Sequence, residues 1–562
     1  GVVARALTHV SEIEGSDQCI VSGITRLMGG HCLTIRQGGQ PVVSRWWRTL
    51  DHIEEPPRGI KKQAERLREL FFDACRIRMR SDVPVGGALS GGLDSGSVFC
   101  AVSELMKSPG FAENSGGEGI KAFVATFTGT PQDERKYAER IVRHTGVPAV
   151  YKEIDPLDGL GALDEILYSF EEIFDMASAP WLLYRGMREE NIVVSMDGHG
   201  GDELFGGYDF QVEDALRASI WAEPDKERYN ELKIVLKQMC PGGARNDFPA
   251  FIGPGHINKV VIYGCGQAGR MAVGRAAERG WDTLYCVDSD KEMWGGELEG
   301  AKIKSPEALL EKNYDMIIVA SGLGKEEIYE RLNSMGLKKD KDYIFFRDIP
   351  DMKERDGVWP ANAFSAESIN LPWLRVERAP YIPPVHNDDM DALKKMEVMN
   401  RRLYSDFHFT TLPTILRNFD RNSMAHGVEI RSPFMDWRLV CFAFSLPWSA
   451  KVGDGFTKRI LREALRGVLP ESIRTRATKV GFASPVLQWV EGPLKPFIMD
   501  TLNSRAFLDS EIWDGPMIEK IIKQAYGKGD FATVRHFWHC LQTQRLFETF
   551  ADKKRSFMAR MT

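Results

Sequence analysis

From Pro56 to about Arg80 the apolar residues Ile60, Ala64, Leu67, Leu70, Phe71, Ala74 and Ile77 recur at helical spacing and predict an amphipathic helix. The pattern then changes to short apolar runs that alternate with helical ones. VPVGGAL, KAFVATFT, YKEIDP and NIVVSM read as strands, and SVFCAVSELM and ERKYAERIVRHTG as helices. Such alternation predicts an α/β fold with a doubly wound parallel sheet. The stretch SPGFAENSGGEG (108–119) reads as an exposed loop between two of these units.

A second alternating unit follows the breaker-rich PGGARNDFPAFIGPGH. KVVIYGCG, RMAVGRAAERG, DTLYCVD, SPEALLEKN and DMIIVASG spell strand, helix, strand, helix, strand, and read as a domain of their own set into the chain. After Pro350 the pattern turns to loops and then to helices, among them LPTILRNF, FTKRILREALRGV and FATVRHFWHCLQTQRLFETFA. Residues 1–50 carry only short strand-like runs (HCLTIRQ, PVVSRWW) around Gly-Gly turns.

Composition narrows the class. A chain of 562 residues is too long for one core, so roughly two to four domains are expected. A net charge of -6 gives no general footprint for nucleic acid. No apolar run approaches the roughly 20 residues that span a bilayer, and the start GVVARALTHV lacks a secretory pattern. The nine cysteines show neither a CxxC pair nor zinc spacing, as expected of free thiols in a cytoplasmic protein.

Candidate chemistry sits where strands end. Ser90-Gly91-Gly92-Leu93-Asp94-Ser95 joins VPVGGAL to a helix, so backbone N–H groups and hydroxyls face an anion at the positive helix end. Asp94 repels phosphate and suits a Mg²⁺ that bridges phosphates. Asp197 to Tyr208 (DGHGGDELFGGY) holds three acids and five glycines in twelve residues, too many for a turn selected only for stability. It ends the strand NIVVSM, so both turns face one crevice at the carboxyl edge of the sheet.

SGGLDS with GGDELFGGY resembles the synthetase domain of the asparagine synthetase family, which includes β-lactam synthetases, carbapenam synthetases and lasso-peptide cyclases. The likeness runs through Thr126-Phe127-Thr128, Asp133-Glu134 and Tyr137-Ala138, and resumes in 416–440, 456–465 and 476–485. It implies an ATP-pyrophosphatase domain of the adenine nucleotide alpha hydrolase-like kind over 51–256, continued by a mostly helical part over 349–562. A Rossmann-like insert occupies 257–348, and 1–50 resembles the end of a glutaminase-like domain. The resemblance makes Asp94 and Asp202 Mg²⁺ ligands and gives Ser90, Gly91, Gly92 and Ser95 the pyrophosphate of ATP. Ala88, Phe127 and Gly198 would lie against the adenosine. Lys479 matches the lysine that neutralises phosphates and the tetrahedral intermediate, or else is a solvated loop lysine. Glu429 matches an acid that supports the general base; Arg431 offers it a simple ion pair instead.

The chain also departs from the family. His199 stands where asparagine synthetases have glutamate and β-lactam synthetases tyrosine. It suits a general base for an attacking amine, or a turn histidine bonded to backbone. Asp197 replaces a common serine. Residue 1 is glycine, without the N-terminal cysteine of the glutaminase, so ammonia, an amine or a separate glutaminase is the expected nitrogen source. In the insert, Gly264, Gly266 and Gly269 follow a strand and open a helix, with Asp288 about twenty residues on, the fingerprint of a dinucleotide site for NAD or a nucleotide-sugar.

The resulting expectation is an AMP-forming ligase that activates a carboxylate and passes it to ammonia or an amine, in polysaccharide or secondary-metabolite synthesis, with a homodimer left open. The rivals are asparagine synthetase itself and a non-catalytic nucleotide-binding scaffold.

Overall fold

The computed structural model describes residues 2–8, 13–108, 111, 119–174, 178–221, 225–240, 257–320, 325–339, 341–346, 349, 371–377, 387–478 and 484–561. Two strands of the N-terminal region, β1 (His31–Thr34) and β2 (Val42–Arg45), pair as an antiparallel hairpin with nearly all their residues exposed. The predicted amphipathic helix spans Ile60–Arg78 and buries Ala64, Leu67, Leu70, Phe71 and Ala74, while Ile77 stays exposed.

The main sheet uses β3 (Val85–Ala88), β4 (Ile120–Thr126), β5 (Ala149–Glu153), β6 (Val194–Met196) and β13 (Glu429–Arg431). Its order is β13-β6-β3-β4-β5, and every neighbouring pair is parallel. The strands were legible as apolar runs because helices cover them and leave little polar face to alternate. From β3 the chain steps outward to β4 and β5, then returns to place β6 and β13 on the other side. The direction of winding therefore reverses between β3 and β6, and a crevice opens beyond their carboxyl ends.

Residues 259–345 build a separate sheet of six strands: β7 (Lys259–Tyr263), β8 (Asp282–Val287), β9 (Glu297–Leu298), β10 (Ala301–Lys304), β11 (Met316–Val319) and β12 (Tyr343–Phe345). The order is β12-β11-β7-β8-β10-β9, parallel except for the β9–β10 hairpin. SPEALLEKN, expected as a crossover helix, is a short 3-10 turn over Pro306–Glu311. Pro306 opens it and Lys312, in the left-handed region, closes it after six residues. The β9–β10 hairpin, not expected from the sequence, sits just before it.

The C-terminal part is helical as expected, ending in the long helix Trp538–Met561. FTKRILREALRGV is not one helix, however. Phe456–Thr457 pairs as a short strand, Lys458 takes the left-handed region, and the helix covers only Arg459–Ala464. Among the described residues no helix is long and apolar enough to cross a membrane.

Candidate active site

The turn after β3 is shaped by what it must touch. Gly91 has φ +79, and a side chain there would come 2.6 Å from the backbone nitrogen of Ala138. Gly92 then caps the helix Leu93–Met106, which points its N-terminus into the crevice. Two hydroxyls line the turn. Ser90 Oγ accepts from the N–H of Gly92 at 3.2 Å and stands 3.1 Å from Ser95 Oγ, which accepts from the N–H of Ser90 at 3.3 Å. The turn after β6 packs directly on this one, since a Cβ on Gly198 would lie 2.8 Å from the nitrogen of Ser95.

Asp197 joins the two strands. Its buried carboxylate accepts from the N–H of Ala88 at 3.1 Å, from Ser195 Oγ at 2.6 Å and from the Tyr184 hydroxyl at 2.5 Å. Burial, followed by the Asp197 charge, pushes the Tyr184 hydroxyl well above its ordinary value, so it stays a proton donor.

A cavity of about 360 Å³ lies over both turns, and Ala88, Ser90, Gly92, Asp94, Ser95, Gly198, His199 and Asp202 all line it. Asp94 and Asp202 converge on a single cation, the ammonium of Lys458, at 2.5 and 2.6 Å. Lys458 is almost wholly buried, and although burial opposes its charge, the two carboxylates raise its pKa. Arg462 and Arg476 complete a basic wall. Arg462 donates to the carbonyls of Thr457 (2.7 Å) and Arg474 (2.5 Å), and burial pulls its pKa down to about 10. Arg476 pairs with the equally buried Glu134 at 2.6 Å and stacks over Tyr137. Lys479 lies outside the described residues.

Sequence reading did not single out Lys458, Arg462 or Arg476. The signal was available: a triphosphate carries more charge than one lysine and one metal ion neutralise, and basic residues cluster in both C-terminal motifs. The carboxylate pair also fits a magnesium ion. Its donors are hard anionic oxygens already aimed at one cation. Among the described residues no group of three His, Cys, Asp or Glu side chains could hold a metal. Two carboxylates completed by phosphate oxygens and water is the arrangement Mg²⁺ favours over an all-protein cage.

The Phe127 side chain is buried against Trp489, with ring centroids 6.3 Å apart, and does not line the cavity. The flanking Thr126 and Thr128 both donate to Glu153, at 2.6 and 2.7 Å, so Phe127 between them faces the opposite way.

His199 and Phe419 stand between this cavity and a second, larger one of about 1360 Å³. Their rings lie 4.2 Å apart. His199 Nδ1 is buried with no hydrogen-bond partner among the described residues. Burial holds the imidazole pKa below its ordinary value, against the opposing pull of Asp197. Glu429 also lines the second cavity, but it is 59% exposed and accepts from Arg431 Nε at 2.8 Å. Arg431 is itself fixed by the carbonyls of Arg78 and Arg80. Among the described residues Glu429 makes no bond to His199, so the expected support of the base is absent from this arrangement.

In the second sheet Gly264 (φ +105) turns the chain after β7, and Gly266 caps the helix Gln267–Glu278. A Cβ on Gly269 would lie 2.1 Å from the carbonyl of Gly264, so helix and turn touch. Asp288 Oδ2 accepts from the N–H of Cys265 at 2.7 Å and Oδ1 from that of Asp290 at 2.9 Å. The acid thus ties the glycine turn to the end of β8.

An open parallel α/β sheet with two glycine-rich turns meeting at its reversal point, a carboxylate pair and a basic wall defines a phosphate-binding protein of the nucleotide-dependent kind. The chain belongs to the asparagine synthase family, whose model matches residues 66–548. Asparagine synthetase [glutamine-hydrolyzing] 1 of Bacillus subtilis is 22% identical over 481 residues, 85% of this chain and 58% of that protein. The amidase chry2 of Gibberella zeae is 23% identical over 553 residues, covering 95% of this chain and 69% of that protein. A putative asparagine synthetase 2 of Methanocaldococcus jannaschii is 33% identical over 164 residues, 29% of this chain and 30% of its own. The chain thus spans well under two thirds of the length of the Bacillus subtilis relative. At the level of the family the chemistry is ATP-dependent formation of amide bonds.

Proposed function

We propose that this chain is an AMP-forming amide ligase: ATP and a carboxylate give an acyl-adenylate and pyrophosphate, and an amine or ammonia then displaces AMP. The observation that carries this reading is the convergence of the Ser90–Ser95 turn, two carboxylates and three buried or half-buried cations on one cavity. Ser90, Gly91, Gly92 and Ser95 hold the pyrophosphate portion of ATP, with Ala88 and Gly198 on the adenosine side. Mg²⁺ on Asp94 and Asp202 would offset the charge of the phosphates. Lys458, Arg462, Arg476 and Lys479 supply the remaining positive charge as pyrophosphate leaves.

His199 takes the proton from the attacking amine. Its place between two cavities supports that role: nucleotide fills the smaller, and the organic substrate enters by the larger. A neutral imidazole with an unpartnered, buried Nδ1 is a ready acceptor. Glu429 acts after leaving Arg431. Residues 257–348 form a Rossmann-like insert in this reading. A bound NAD or nucleotide-sugar would use the acceptor sites of Asp288 left over from the two backbone N–H groups it holds.

The names of the bacterial and archaeal relatives favour a second reading, asparagine synthetase itself. Product analysis tests both. The ligase releases AMP and pyrophosphate in equal amounts and only with a carboxylate present. Turnover with aspartate above all other carboxylates selects the second reading. ADP and phosphate as products would overturn both.

A further inference from the structure

Lys458 is held in an arrangement that its role as a phosphate counter-ion does not explain. Its ammonium lies between Asp94 and Asp202, 2.5 and 2.6 Å from their oxygens. Its backbone takes φ 53, in the left-handed region that a side chain seldom adopts. That conformation is pinned from both sides: the N–H of Lys458 donates to the carbonyl of Phe205 at 3.3 Å, and its own carbonyl accepts from Arg462 N–H at 3.0 Å. Strain maintained against such cost is a pointer to function when it aims a side chain. Opposite, Gly207 leaves the space the lysine fills, since a Cβ there would lie 2.5 Å from Lys458 Cε and 1.8 Å from Asp202 Oδ1.

We propose that Lys458 is a resident stand-in cation: it occupies the metal position while nucleotide is absent, and swings into the cavity when Mg²⁺ arrives with ATP. The proposal rests on the assignment of Asp94 and Asp202 as metal ligands. Two half-buried carboxylates aimed at one point repel each other unless a positive charge sits between them. An ammonium supplies one charge and a magnesium ion two, but both cannot share the same oxygens, because like charges at that separation repel strongly. The fixed backbone and flexible four-carbon side chain make the exchange a local movement, and Lys458 already lines the cavity it would enter. The exchange also sets an order of binding. Metal alone must displace the lysine with no phosphate to receive it, whereas Mg²⁺–ATP offers the ammonium a new partner as it takes the old ones.

Manganese binding followed by electron paramagnetic resonance tests this directly. The wild-type protein should bind Mn²⁺ weakly alone and at least tenfold more tightly with a non-hydrolysable ATP analogue. Lys458→Met should bind Mn²⁺ alone at least tenfold more tightly than wild type and lose most of the dependence on nucleotide. Equal binding of Mn²⁺ alone by the two proteins would overturn the proposal. The metal assignment has its own control: Asp94→Asn should abolish Mn²⁺ binding in the presence of the analogue, and if it does not, the assignment and the proposal both fall. Should Lys458→Met not fold, a crystal structure of the wild-type protein with Mg²⁺ and the analogue decides. Lys458 Nζ on a phosphate oxygen and away from both carboxylates supports the exchange; a lysine still bridging them contradicts it.

Discussion

At position 91 the backbone must turn left-handed and pass within contact of the helix that starts at Arg135, so a side chain meets both strain and collision. Gly91→Ala should cost about 1–2 kcal/mol of stability from the backbone alone, and more where the turn cannot yield. Urea unfolding measures it, and an unchanged midpoint would mean that the turn is not built as described. His199 belongs to the same scale. His199→Ala should slow amide formation by about 10²–10⁴-fold while adenylation stays nearly normal. The base works as neutral imidazole, and burial holds its pKa below the ordinary value. Activity should therefore fall only on the acid side of about 6.5, further down the pH scale than for an exposed histidine. An acid limb that survives in the mutant would identify another base.

Residues on the glycine turns were legible because a phosphate loop needs a contiguous pattern. Lys458, Arg462 and Arg476 were not, because what matters is their meeting in space across a left-handed break inside an apparently helical run. Phe127 illustrates the complementary point: a matching triplet does not say which of its side chains faces the crevice.

Among the elements, β3 and β6 matter most, and the Asp197 bonds between them hold the crevice in register. Asp197→Ala strips partners from a backbone N–H, a hydroxyl and a buried tyrosine. It should destabilise the protein by about 2–4 kcal/mol, since each buried polar group left unpaired costs about 1–3 kcal/mol. Asp197→Asn keeps the shape and should cost less. If both variants unfold at the wild-type urea concentration, the carboxylate does not join the strands. The strands themselves were readable from covered apolar runs, and so was the alternation that implied parallel pairing. The β9–β10 hairpin escaped notice, because strands of two and four residues carry too little periodicity to register.

For the whole molecule, the sequence reads as two alternating units and a helical end; the structure has two sheets, in which β9, β10, β12 and β13 were not expected from the sequence. Their chemistry differs. In the first, acids and cations face one cavity that joins a larger one at His199 and Phe419. In the second, the acid braces its own glycine turn. Asp288→Ala should therefore lower the stability of that region, read by hydrogen exchange across residues 259–304, and leave adenylation untouched. A loss of adenylation would mean that the second sheet acts on the first.

Adenylation itself is the central claim, and carboxylate-dependent exchange of labelled pyrophosphate into ATP measures it most directly. With an accepted carboxylate the wild-type protein should exchange label. Asp94→Asn and Asp202→Asn should each abolish that exchange with the fold intact by circular dichroism, because each would remove a hard anionic ligand from a magnesium ion held at that site. Exchange at the wild-type rate in either mutant would contradict the account.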